Sequence, residues 1–197
     1  MTARVRALAS AAVLLLAVAL DPFLTRSMSL HMLLHIPLIL VSGILAASAL
    51  FSGGIGEAGR LGRLREHYAK YNEYGIAGLL LCTFVAAYWM IPSSLDQVLV
   101  SVPAHGLKYL GLFIAGMALY DSLRRSNSVI DLFFLGNFSW MTAIAGLLYQ
   151  DNPERLCNFY LLSDQEMAGR GLVAVAVLVP LAWLIAERRR IRRFLRQ

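Results

Sequence analysis

The sequence predicts an all-α polytopic membrane bundle of about six transmembrane helices, and three observations carry that expectation. Only 15% of the residues are charged against 58% hydrophobic, with a mean hydropathy of +0.63, whereas a soluble domain carries about 25% charged residues. Apolar runs recur at 6–20, 30–51, 74–92, 98–120, 129–149 and 168–187. At 1.5 Å per residue, each except the first is about long enough to cross the hydrocarbon core. The basic residues are also sorted by side. With a cytoplasmic N-terminus, 14 of the 18 Lys and Arg fall in cytoplasmic segments, leaving Arg26, Lys108, Arg155 and Arg170 opposite. This is the positive-inside pattern, and it puts both termini in the cytoplasm. The net charge of +6 is then topogenic. The chain reads as one transmembrane domain, 1–197, whose basic tail, 188–197, lies against anionic headgroups of the lipid bilayer. No aromatic-basic module accompanies these charges, so a nucleic-acid partner is not expected.

Taken in order, the first segment, "MTARVRALASAAVLLLAVAL", admits two readings. It is either a short first span or a cleavable signal peptide ending near "AVA" at 17–19, which would leave five helices. Both leave His31 and His35 on the same outer side. The second run opens with "SMSLHMLLHIPLIL". If its helix begins near Met28, then Met28, His31, Met32 and His35 fall within an arc of about 100° at 100° per residue. Imidazole serves copper and zinc, and thioether selects cuprous copper, so this stripe on an oxidising face favours copper over zinc or magnesium. HMLLH also has the histidine spacing of the zinc-protease helix. Met32 stands where the general-base glutamate must be, so hydrolysis is not expected.

The following loop contains Gly54, Gly56 and Gly59 in a literal GxGxxG, but it follows a membrane helix rather than a strand and is set aside. Beyond it, Leu61, Leu64, Tyr68 and Tyr71 at helical spacing predict an amphipathic surface helix bearing a solvated His67. The third run carries Cys82 as a packing residue, and "PSSLDQ" is a short outer loop. In the fourth run His105 lies about seven residues, or about 10 Å, in from the outer end. Lys108 is one turn deeper, expected to snorkel or to pair with a carboxylate such as Asp96. Asn137, Ser139 and Thr142 in the fifth run predict interhelical hydrogen bonds. The longest outer segment, "QDNPERLCNFYLLSDQEMAGR", holds Cys157, a thiol open to oxidants and remote from Cys82. In it Ser163 and Glu166 form an S-x-x-E capping box that starts the last helix at Asp164.

The candidate metal residues are thus His31, Met32 and His35, with His105 and Asp164 at the same membrane level. Against them stands the bland alternative that interfacial His and Met ligate nothing. A rival function is a small haem-binding or quinol-linked cytochrome subunit using His31 or His35 with His105. A third is a purely structural membrane interaction protein.

At these residues the chain resembles a known family. "DPFLTRSMSLHMLLHIPLIL" is similar to the hallmark of the polytopic cytochrome c oxidase assembly factor family CtaG, in which an acidic-Pro segment leads into a Ser-x-His-Met-x-x-His helix. "LLSDQEMAGRG" resembles that family's Asp-Gln-x-x-Ala-Gly, placing Asp164, Gln165, Ala168 and Gly169 on the motif. His105, opening a helix in between, resembles the family's further membrane histidine less specifically. Pro37 follows the second histidine more closely than the family's proline does, so a different bend is expected there. The resemblance implies a non-catalytic protein of the bacterial inner membrane that helps to build the copper centres of a haem-copper oxidase. Its partners are then oxidase subunits or another copper enzyme. His31 and His35 are the implied primary copper ligands, Met28 or Met32 favours the cuprous state, and His105 and Asp164 complete or neutralise the site.

Overall fold

A computed structural model describes residues 2–52 and 68–194. The expectations for Gly54, Gly56, Gly59, Leu61, Leu64 and His67, and for the side chains of the basic tail, fall outside the described residues. Those residues form helices and no strand: α1 (Ala3–Ala19), α2 (Asp21–Leu24), α3 (Met28–Leu30), a π turn (His31–His35) that runs into α4 (Ile36–Ser52), α5 (Ile76–Trp89), α6 (Pro92–Val100), α7 (Val102–Arg125), α8 (Ser128–Asp151) and α9 (Leu162–Phe194). Four of the described helical stretches are long and apolar enough to cross a membrane: Met28–Phe51, Val102–Arg125, Ser128–Asp151 and Leu162–Glu187. A fifth is obtained if α5 and α6, bent by 77° at their junction, count as one broken span. Large apolar side chains such as Leu107, Leu110, Phe133, Trp140 and Ile185 point outward, as a surface facing lipid requires.

The count of six is therefore not reached, for two local reasons. α1 has 17 residues, and α5, the helix of the third apolar run, has only 14. Pro92 opens a new helix at its first position, so "PSSLDQ" is helical rather than a loop. Ser101 then breaks the chain again: its hydroxyl accepts the Ala104 N–H at 3.5 Å and Pro103 follows inside the first turn of α7. The fourth apolar run is divided between α6 and α7, and His105 stands in the first turn of its helix rather than well inside it. The last helix starts at Leu162, two residues earlier than the capping box suggests, with the Leu161 carbonyl accepting from the N–H of Asp164 and of Gln165, each at 3.1 Å.

Small residues set the packing that carries the site. At the α4–α7 crossing Gly43 faces Gly116, and a Cβ on either would run into the backbone carbonyl of Phe113 or Leu40. Backbones that close bring the side chains of α4 and α7 into one space. α1 lies along α4, with the Ser10 hydroxyl donating to the Ser42 carbonyl at 2.8 Å. The α8–α9 hairpin meets the remainder through α3, the π turn and α5, and Tyr149 donates its hydroxyl to the Met90 carbonyl at 2.7 Å. Of the three α8 residues expected to bond between helices, Ser139 has a buried hydroxyl without a partner, and the other two bond within their own helix. Thr142 donates to the Phe138 carbonyl at 2.7 Å and Asn137 to the Met141 sulfur at 3.6 Å.

At the opposite end of the bundle, buried Asn72 donates to Tyr68, Asp121 and Ser122 at 3.0–3.3 Å and accepts the Gly78 N–H at 3.0 Å. This network starts α5 just after Gly75, whose φ of +75° favours glycine. Arg4, Arg6, Lys70, Arg124 and Arg125 belong to that end, the Arg6 guanidinium donating to the Ser48 carbonyl at 3.2 Å.

Candidate functional site

The site is built where α1 ends and the second span begins. Asp21 opens α2 with Pro22 behind it, a placement that proline's fixed φ favours. Ser27 then caps α3, its hydroxyl accepting the Leu30 N–H at 3.3 Å. From His31 the helix widens by one residue, the Ile36 N–H bonding to the His31 carbonyl. The cause is Pro37. It has no N–H to give, and in a regular helix its ring clashes with the carbonyl four residues back, that of Leu33; an i→i+5 turn relieves both. The widened turn sets residues four apart nearly one above the other, and the ring centroids of His31 and His35 lie 5.5 Å apart. Met28, His31, Met32 and His35 are all buried.

His35 is held on both nitrogens. Its Nε2 faces the Ala17 carbonyl at 3.2 Å, the Tyr109 hydroxyl at 3.1 Å and Asp21 Oδ1 at 3.5 Å. A carbonyl only accepts, so Nε2 carries the proton and Nδ1 the lone pair. Onto that lone pair Lys108 Nζ donates at 3.4 Å. Lys108 is fully buried, and its other partner is Asp21 Oδ1 at 3.0 Å. The same oxygen accepts from Tyr109 at 2.9 Å and faces His105 Nε2 at 3.2 Å. Burial pushes the Asp21 carboxyl up, but the Lys108 hydrogen bond and charge, with His105 and Tyr109, outweigh it and bring the pKa down to about 2. His105, its side chain 40% exposed, is the side of the cluster open to the outside.

His31 is held on one nitrogen only. Its Nδ1 pairs with the Tyr160 hydroxyl at 2.8 Å. Its Nε2, buried, has no partner, one of three such side-chain atoms among the described residues. A buried polar atom left bare costs about 1–3 kcal/mol, so it calls for an explanation. Tyr160 reaches His31 from the 152–161 segment, which Gln165 organises. The amide of Gln165 accepts the Leu156 N–H at 2.8 Å and donates to the carbonyls of Tyr149 at 3.2 Å and Glu154 at 3.4 Å.

Of the residues singled out by sequence, His31, Met32 and His35 share one buried turn, and His105 joins His35 through Asp21. Asp164 is not among the side chains that meet there. It sits half-buried in the first turn of α9, near enough to Tyr160 to contribute, after burial, Cys157, Asp96 and Asp21, to raising its phenol pKa. Lys108 pairs with Asp21 rather than Asp96. The latter instead accepts the backbone and side-chain N–H of Asn158 at 2.8 and 3.0 Å. Cys157, expected in the open, is buried with its thiol donating to the Pro92 carbonyl at 3.3 Å. Burial first, then Asp96, pushes its pKa up to about 12. Asp21, Tyr109, Tyr160 and Gln165 were not read as site residues. Asp-Pro directly after an apolar run, and a tyrosine one turn from His105, were the available signals.

Among the described residues no three His, Cys, Asp or Glu side chains stand together as a metal cage. The stretch from Met28 to His35 carries donors of the types that softer cations prefer: an unpartnered imidazole nitrogen on His31, a second imidazole on His35, and the buried thioethers of Met28 and Met32. Neither the protein-family models, nor the curated proteins, nor the solved structures compared with this chain contain a match to it.

Proposed function

We propose that the His31–His35 turn binds cuprous copper at the outer face of the bacterial plasma membrane, and that the protein is a non-catalytic assembly factor for the copper centre of a haem-copper oxidase. The observation that carries this reading is the buried, unpartnered Nε2 of His31 beside His35 on one π turn. In the tautomer whose Nδ1–H donates to Tyr160, that nitrogen presents a lone pair. Met28 and Met32 add the thioether chemistry that favours Cu(I) over Zn(II). Asp21 takes the neutralising role that the motif resemblance gives to Asp164, and His105, exposed at the rim, is the first imidazole an incoming ion meets. An incomplete cage suits transfer, since a cargo ion must leave again. The outer location is supported by the basic residues Arg4, Arg6, Lys70, Arg124 and Arg125 at the opposite end. Oxidase subunits or another copper enzyme are the proposed recipients.

Purified protein in detergent, loaded with Cu(I) and desalted, tests this. Wild type is expected to retain about one copper per chain and His31→Ala/His35→Ala none, with no Soret band in either. Failure of wild type to retain copper overturns the proposal, and a Soret band lost in the double variant transfers the site to haem.

A further inference from the structure

The chain has only two lysines among its 18 basic residues, and one of them, Lys108, is fully buried at the centre of the polar cluster. Its ammonium is 3.0 Å from Asp21 Oδ1 and 3.4 Å from the Nδ1 lone pair of His35. It also lies 5.0 Å from the centroid of the Tyr109 ring. These are the contacts a bound cation would seek: a carboxylate, an imidazole lone pair and an aromatic face. We propose that Lys108 is a built-in competitor for the cargo ion, its ammonium holding the His35 nitrogen and the Asp21 charge until a metal cation takes its place.

This inference rests on the copper reading above and specifies how that site is regulated. The His35 tautomer is set by the Ala17 carbonyl, so Nδ1 is the only nitrogen His35 can offer a metal, and Lys108 sits on it. His31 Nε2 is bare, so the ion docks there first and completes its coordination by displacing the ammonium. Lysine suits the task and arginine does not. A compact point charge on a flexible stem can swing away, whereas a guanidinium is a rigid fork that pairs more persistently. Its way out is toward His105, one turn nearer the exposed rim of the same helix. Charge is conserved in the exchange: Asp21 balances one positive charge whether ammonium or Cu(I) holds it, while a divalent ion adds an uncompensated charge to a buried site. Release runs the same exchange backward, the lysine returning to His35 as the ion passes on.

Two measurements on the full chain in detergent test the exchange. Cu(I) affinity is measured by competition with bicinchoninate for wild type, Lys108→Met and Lys108→Arg. Lys108→Met is expected to bind about tenfold or more tightly than wild type, because no internal cation competes. Lys108→Arg is expected to bind no more tightly than wild type. In wild type, acylation of Lys108 by a small amine-reactive acyl donor such as acetic anhydride, which releases acetate, is read by mass spectrometry with exposed Lys70 as the internal reference and is expected to rise several-fold on Cu(I) loading. Unchanged Lys108 labelling in copper-loaded wild type overturns the competitor role even if Lys108→Met fails to fold, and leaves the copper reading standing. Equal affinities of wild type and folded Lys108→Met overturn it likewise. Absence of Cu(I) binding in all three proteins overturns both.

Discussion

Asp21 is the residue through which the cluster is held together, since one oxygen of it serves Lys108, His105 and Tyr109 and lies 3.5 Å from His35. Its folded pKa, about 2, lies below the ordinary value of 3.8. A lowered carboxylate pKa means that the ionised form stabilises the fold. That contribution is complete above about pH 4 and fades as pH falls through about 2. The expected outcome is a gap in thermal unfolding between wild type and Asp21→Asn that is constant from neutral pH to about 4 and closes toward pH 2. Removing one partner of a buried pair costs about 3–5 kcal/mol. With the Asp21 side chain 21% exposed and an amide oxygen still able to accept, about 2–3 kcal/mol is expected at neutral pH. A gap that persists unchanged at pH 2 would remove Asp21 from this role.

Among the elements, the π turn decides whether two histidines four apart become a pair. The stripe of Met28, His31, Met32 and His35 was legible because helical periodicity survives in sequence. The extra residue in the turn was not, since it depends on how Pro37 settles its missing N–H against the Leu33 carbonyl, although its position had signalled an altered bend. The same limit hid the shape of the α5–α6 junction: Pro92 ends the third apolar run and marks a break, but nothing in hydropathy shows that the residues after it form a helix turned by 77° from α5. Pro37→Ala restores the N–H and removes the clash, so the turn is expected to relax to regular helix and separate the two rings. Far-ultraviolet circular dichroism should stay unchanged while Cu(I) affinity falls about tenfold or more, a loss of about 1.4 kcal/mol. Retained affinity together with unchanged ring proximity would show that packing, not Pro37, sets the turn.

At the scale of the molecule, the site is a junction between two groups of helices, which is why sequence located its histidines but not their partners. Lys108 and Asp21 are 87 residues apart, and His31 and Tyr160 are 129 apart; periodicity along one helix carries no information on which distant side chain arrives opposite. The motif singled out the late "SDQE" segment, and the structure joins it to His31 through Gln165 and Tyr160. The residue that acts there is Gln165 rather than its neighbour Asp164, because the amide can both donate and accept. Gln165 ties Tyr149 at the end of α8 to Glu154 and Leu156 in the 152–161 segment, and so holds Tyr160 over His31. Gln165→Ala removes three hydrogen bonds at about 0.5–1.5 kcal/mol each, giving an expected loss near 2–3 kcal/mol. Its local effect is more diagnostic than its size. With Tyr160 released, amide hydrogen exchange in peptides covering 152–161 should quicken, and copper should leave the loaded protein faster while the His31–His35 turn stays protected. Faster exchange spread evenly over all helices would instead make Gln165 a general packing residue, and the closure of His31 would then have to come from α9 itself.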